Sequence, residues 1–160
     1  MKKIKVFEVG PRDGYQKVSA LIPTQEKKKI IDGLAKSGVT HLQVTSFVSP
    51  KAVPQMQDAR EVAVYCKEHY PKLDILALVP NLRGAKDACD AGIRHISYVV
   101  SLSESHNKAN VNRTREASVR ELKEIAFSYP DMKICVDVAT AFGCPFEGKP
   151  ADGELIRFVG

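Results

Sequence analysis

An arginine and an aspartate stand side by side at Arg12-Asp13, inside the stretch Glu8-Val9-Gly10-Pro11-Arg12-Asp13-Gly14-Tyr15-Gln16. A guanidinium offers an oxyanion a planar fork of donors, and a carboxylate offers hard oxygen ligands to a divalent cation. The apolar run Ile4 to Phe7 before them reads as a strand, so the pair falls where a strand gives way to a loop. In parallel α/β folds the carboxyl ends of strands are where sites assemble. Gly10-Pro11 and Asp13-Gly14 are also turn formers, and a turn alone accounts for them as well.

Other chemistry-bearing residues are scattered. Of His41, His69, His95 and His106, no two form a His-x-His pair. His41 and His95 each stand near the start of an apolar run, which places them at the end of a sheet that serves stability. His106 lies in the polar stretch Glu104 to Thr114, which reads as a hydrogen-bonded loop and places this histidine best for meeting a ligand. Asp137 stands near a strand end, where it could bind a substrate hydroxyl, pair with Arg12, or be held by backbone amides. Cys144, between Gly143 and Pro145, has no histidine partner in evidence and reads as a structural thiol.

The elements that must position these residues alternate in period. Short runs rich in Ile, Val and Leu predict strands at Ile4–Glu8, His41–Val44, Asp74–Val79, His95–Val100 and Lys133–Val138. Helical patterns lie between them. The first has Thr24 as its N-cap and Gly38 just past its end; the second runs from about Pro54 to Glu68. A third spans Asn81 to Gly92, a fourth starts at Thr114, and a fifth starts near Ala151. Strand and helix repeated in this way predict a parallel sheet covered by helices.

The chain of 160 residues has the size of one domain and can bury an ordinary core. Its net charge of +5 is dispersed, and Lys27-Lys28-Lys29, the one basic triplet, reads as a solvated helix face. Aromatic residues make up 7% and do not interleave with a basic stripe, which gives nucleic-acid binding no support. The positive excess suits an anionic ligand. No apolar run reaches transmembrane length, no secretory segment precedes Cys66, Cys89, Cys135 and Cys144, and none of these has C-x-x-C spacing. Reduced thiols, a cytoplasmic location and no membrane partner are therefore expected.

Three ordered blocks carry a resemblance: Glu8 to Gln16, Thr45-Ser46-Phe47-Val48-Ser49-Pro50-Lys51-Ala52-Val53-Pro54-Gln55-Met56, and Gly143-Cys144-Pro145-Phe146-Glu147-Gly148-Lys149. Together they resemble the 3-hydroxy-3-methylglutaryl-CoA lyase family, metal-dependent lyases and synthases on a TIM barrel. The resemblance implies residues 1–160 are the N-terminal portion of one such domain, about five βα units of a (β/α)8 barrel that typically takes about 250 residues. It implies carbon–carbon lyase activity: metal-assisted retro-aldol cleavage of a hydroxyacyl-CoA to an acyl-CoA and a keto acid. A Claisen-type synthase or carboxyltransferase on the same barrel, or a non-catalytic half-barrel, are the alternatives.

By the same resemblance Arg12 is the catalytic arginine, Asp13 a ligand to Mg²⁺ or Mn²⁺, and Gln16 an orienting residue of the same loop. Ser46 would touch substrate or cofactor, or else cap a turn. Two positions depart from the family. Gln43 replaces a usual glutamate, which removes a charged partner for Arg12, and Asp137 stands where an aromatic is usual. The histidine pair and asparagine that complete the family's metal site are absent, so these residues alone are expected to hold metal poorly and turn over nothing. Unpaired sheet edges lead us to expect a homo-oligomer.

Overall fold

In the computed structural model, which describes residues 4–160, β1 (His41–Ser46), β2 (Asp74–Val79), β3 (His95–Ser101) and β4 (Lys133–Ala139) are parallel and lie in the order β1-β2-β3-β4. Six helices accompany them: α1 (Thr24–Lys36), α2 (Ala59–His69), α3 (Leu82–Asp90), α4 (Glu104–Val111), α5 (Arg115–Ser128) and α6 (Glu154–Val159). Alternate strand residues Leu42 and Val44, Ile75, Ala77 and Val79, and Ile96, Tyr98 and Val100 form the core with Ile31, Val62, Cys66, Ala88 and Ile125 of the helices. By the two-residue period of a strand, Gln43, Leu76, Leu78, Ser97, Val99 and Asp137 belong to the other face. Sequential parallel strands with helices on one face make a partial α/β barrel.

Some sequence expectations are corrected. The strand expected at Ile4–Glu8 is a single bridge: Glu8 N–H donates to His41 O at 3.0 Å and Gln43 N–H to Glu8 O at 2.8 Å. Ile4 and Val6 are 90% and 76% exposed, and of this apolar run Phe7 packs, edge-on against His41 and His95. Thr24 does not cap α1; Pro23 holds the cap position and the Thr24 hydroxyl donates to Asp58 instead. The helix expected from Pro54 is divided into a 3₁₀ turn, Pro54–Met56, and α2, with Asp58 between them.

The stretch Glu104 to Thr114, expected as a loop, contains α4. Ser103 Oγ accepts from His106 N–H to start the helix, and Asn112, at φ 53°, ends it in the left-handed region. Asn107, 1% exposed, bonds to Ser101 N–H, Arg113 O and Ser118 Oγ. A helix that buries an amide in place of an apolar stripe shows no hydrophobic period, which is why the sequence concealed it. Of the basic triplet, Lys29 is solvated as expected, but Lys27 and Lys28 are engaged. Lys27 is 2% exposed and paired to Asp58 at 2.7 Å, and Lys28 pairs with Glu61.

Candidate functional site

The Arg12 turn is built by its own backbone. Val9 O accepts from both Arg12 N–H (3.0 Å) and Asp13 N–H (2.8 Å), and Gly10 N–H donates to Glu8 Oε1 at 2.6 Å. A side chain at position 10 would meet that same carboxylate oxygen at 2.9 Å. The guanidinium then leans onto β1: Nε donates to Gln43 Oε1 at 2.5 Å and Nη1 to Asp13 Oδ1 at 2.8 Å. Gln43 is thus a partner for Arg12 after all, as a neutral acceptor 2% exposed. With no charge taken from it by Gln43, and half-exposed Asp13 its only carboxylate contact among the described residues, Arg12 keeps donors for a ligand.

The remaining expected site residues form separate groups. Asp137 accepts a short hydrogen bond from the Ser97 hydroxyl on the neighbouring strand, and does not pair with Arg12. Ser97 was not anticipated; its signal was a lone polar residue at an inward position of an apolar strand. Ser46 is fully buried, and its hydroxyl donates to Leu78 O at 3.3 Å. Gln16 is exposed on the short helical turn after Gly14. His106 lies on α4 with Nδ1 2.7 Å from Ser101 Oγ and its ring 6.2 Å from that of Phe146.

Cys144 sits 3.0 Å from Ser103 Oγ, and its sulfur accepts from Phe146 N–H. Desolvation raises its thiol pKa, yet the hydrogen bond it shares with Ser103 Oγ and those from the Phe146 and Glu147 amides outweigh that and hold it below the ordinary value. A cavity of about 120 Å³ lies beside it, lined by Ser103, Thr140, Glu147 and Lys149. His95 and His41 face Asp74 at 2.8 and 3.7 Å at the amino ends of the strands, away from Arg12, in the structural role expected of them.

Among the described residues no three His, Cys, Asp or Glu side chains gather as ligands to a metal ion. Asp13 also gives one oxygen to Arg12. These residues by themselves do not fit a divalent cation, which needs several oxygen ligands.

The HMGL-like family model matches residues 3–159. The chain is 38% identical over 156 residues to the mitochondrial hydroxymethylglutaryl-CoA lyase of Rattus norvegicus, covering 96% of this chain and 48% of that protein. It is 40% identical over 148 residues to the cytoplasmic 3-hydroxy-3-methylglutaryl-CoA lyase of Mus musculus, covering 43% of it. A solved HMG-CoA lyase from Acinetobacter baumannii, in complex with coenzyme A and 3-methylmalate, superposes with a TM-score of 0.90 at 37% identity, over 97% of this chain and 51% of that one. The chain spans about half the length of the curated relatives it matches. Matched from near its first residue to near its last, in sequence and in fold, it belongs to the HMGL-like family.

Proposed function

We propose that these residues supply the arginine-bearing part of a carbon–carbon lyase site acting on a 3-hydroxyacyl-CoA. In the reaction a base takes the hydroxyl proton and the carbon–carbon bond breaks. The bonding electrons pass to the thioester as an enolate, and the other fragment leaves as a keto acid; protonation of the enolate gives the acyl-CoA. Arg12 would hold the thioester oxygen where that charge develops. One observation carries the reading: a guanidinium oriented by Gln43 and Asp13 with donors to spare. The relatives' lyase names and the coenzyme A complex support it. A cytoplasmic site of action follows one set of relatives and a mitochondrial one the other.

A divalent cation enters this proposal only as an ion to which Asp13 would give one ligand, the others coming from outside these residues. Titration of the 160-residue chain with Mg²⁺ or Mn²⁺ is expected to show no saturable binding at micromolar concentration. The deciding assay is cleavage of 3-hydroxy-3-methylglutaryl-CoA by the full gene product containing these residues. Arg12→Ala should lower turnover by roughly 10²-fold or more, the scale of a lost oxyanion donor. Full activity in that variant would remove Arg12 from the chemistry. A gene product without turnover would support a second reading, a non-catalytic half-barrel.

A further inference from the structure

Gln55 stands in the Pro54–Met56 turn, in a motif that the chemistry above leaves unused. Its side chain reaches 33 to 37 residues back along the chain and is spent on one loop. Nε2 donates to Val18 O at 3.0 Å and to Ala20 O at 2.5 Å, and Oε1 accepts from Ile22 N–H at 3.1 Å. Both amide donors are therefore committed to alternate residues of a segment that forms no helix or strand of its own. Loop backbone normally turns to water; here a residue 6% exposed takes that place.

The seat of Gln55 is itself fixed. Lys27 Nζ donates to the Gln55 main-chain carbonyl and to Asp58 Oδ1, and the Thr24 hydroxyl holds the other oxygen of Asp58. A buried ion pair resists displacement, because parting the two groups leaves an uncompensated charge. At the other end of the loop, Glu8 is fixed through its bridge to β1 and its bond to Gly10 N–H. Arg12 to Gln16 thus form an arch between two anchors, with the Arg12–Gln43 bond as its side-chain tie to the sheet.

We propose that Gln55, seated on the Lys27–Asp58 pair, is a positioning residue for Arg12. It fixes the downstream end of the arch so that the guanidinium keeps its bond to Gln43 and presents its other donors in one direction. The functional part of this inference rests on the oxyanion role proposed for Arg12; the structural part does not. Misplacing a catalytic group by about 1 Å can cost roughly 10²-fold in rate, so a loop fixed at one end only would matter.

The test is Gln55→Met, which keeps the shape and deletes the amide, with Gln55→Glu as the variant that retains an acceptor for Ile22 should the first fail to fold. In the 160-residue chain, NMR hydrogen exchange at Arg12 Nε–H and at the Ile22 amide should speed up by about tenfold, while the amides of β1 to β4 keep wild-type rates. Unchanged exchange at Arg12, or equal acceleration throughout the sheet, would overturn the proposal. In the full gene product, kcat should fall with little change in KM; unchanged kcat alongside a loosened Arg12 would overturn the functional part. If instead Arg12→Ala retains full activity, the reading of Arg12 fails, and the exchange result still decides whether Gln55 positions it.

Discussion

Arg12 shows how a substitution can preserve a contact while changing its charge. A carboxylate at position 43 would share the positive charge of the guanidinium; the amide of Gln43 orients it and leaves the charge for a ligand. Gln43→Leu should therefore lower turnover through loss of orientation, and kinetics of the full gene product should place the loss in kcat. Tyr15, four positions from Pro11 in the same arch, makes the opposite point. Its hydroxyl is buried without a hydrogen-bond partner among the described residues. Burial first, then nearby Asp58 and Cys66, pushes its pKa up to about 12. Tyr15→Phe should thus raise stability by about 1 kcal/mol in urea unfolding, since an unpaired buried hydroxyl is a cost. Arg12 and Asp13 were legible because they adjoin in sequence. Ser97 and Gln55 were not, because their partners lie 40 and 33 to 37 residues away and only the fold brings them together.

At the scale of elements, two helix contacts invite measurement. Gly84, near the start of α3, lies so close to the loop after β1 that an added Cβ would stand 2.8 Å from Phe47 O and 2.9 Å from Pro80 Cδ. Neither neighbour is a flexible chain end, so Gly84→Ala should destabilise by about 1–3 kcal/mol, as overpacking does, with a matching shift in the urea midpoint. Between α1 and α2, the Tyr65 and Tyr70 hydroxyls donate to Asp32 Oδ1 at 2.8 and 2.7 Å. Partial desolvation raises the Asp32 pKa, but the hydroxyls of Tyr70 and Tyr65 outweigh it and hold it below 3.8. A depressed carboxyl stabilises the fold above its unfolded pKa and loses that stabilisation as pH falls through its folded pKa. The penalty of Asp32→Ala should accordingly be full at pH 7 and shrink below about pH 4, read from urea unfolding at both ends. Strand positions were legible to within a residue or two for β1 to β4, since β-rich runs bounded by breakers are local signals. The helix α4 was hidden because its buried group is polar.

Taken as one body, the described residues present an open side. Val136 on β4 is 42% exposed and Phe142 just beyond it 91% exposed. Each apolar side chain left in water forgoes roughly 1.5–3 kcal/mol, and an edge strand adds unpaired backbone groups. We expect the 160-residue chain to associate through this side. Sedimentation at micromolar concentration should show a dimer or larger species, and a stable monomer would refute the expectation. Parallel order and helix placement were legible at this scale from the alternation of periods alone; the reduction of the first strand to Glu8 was not, because burial is not written in a run of apolar residues.

At the amino ends of the strands, Asp74 on β2 meets His41 from β1, His95 from β3 and Lys133 from β4. One carboxylate therefore inspects the alignment of four strands at once. A slip of β3 by one residue would bring Arg94 or Ile96 to the place of His95 and turn that strand's apolar side away from the helices. Asp74 is thus a shared reference point for register, and the alignment that satisfies all three partners is the one it favours most.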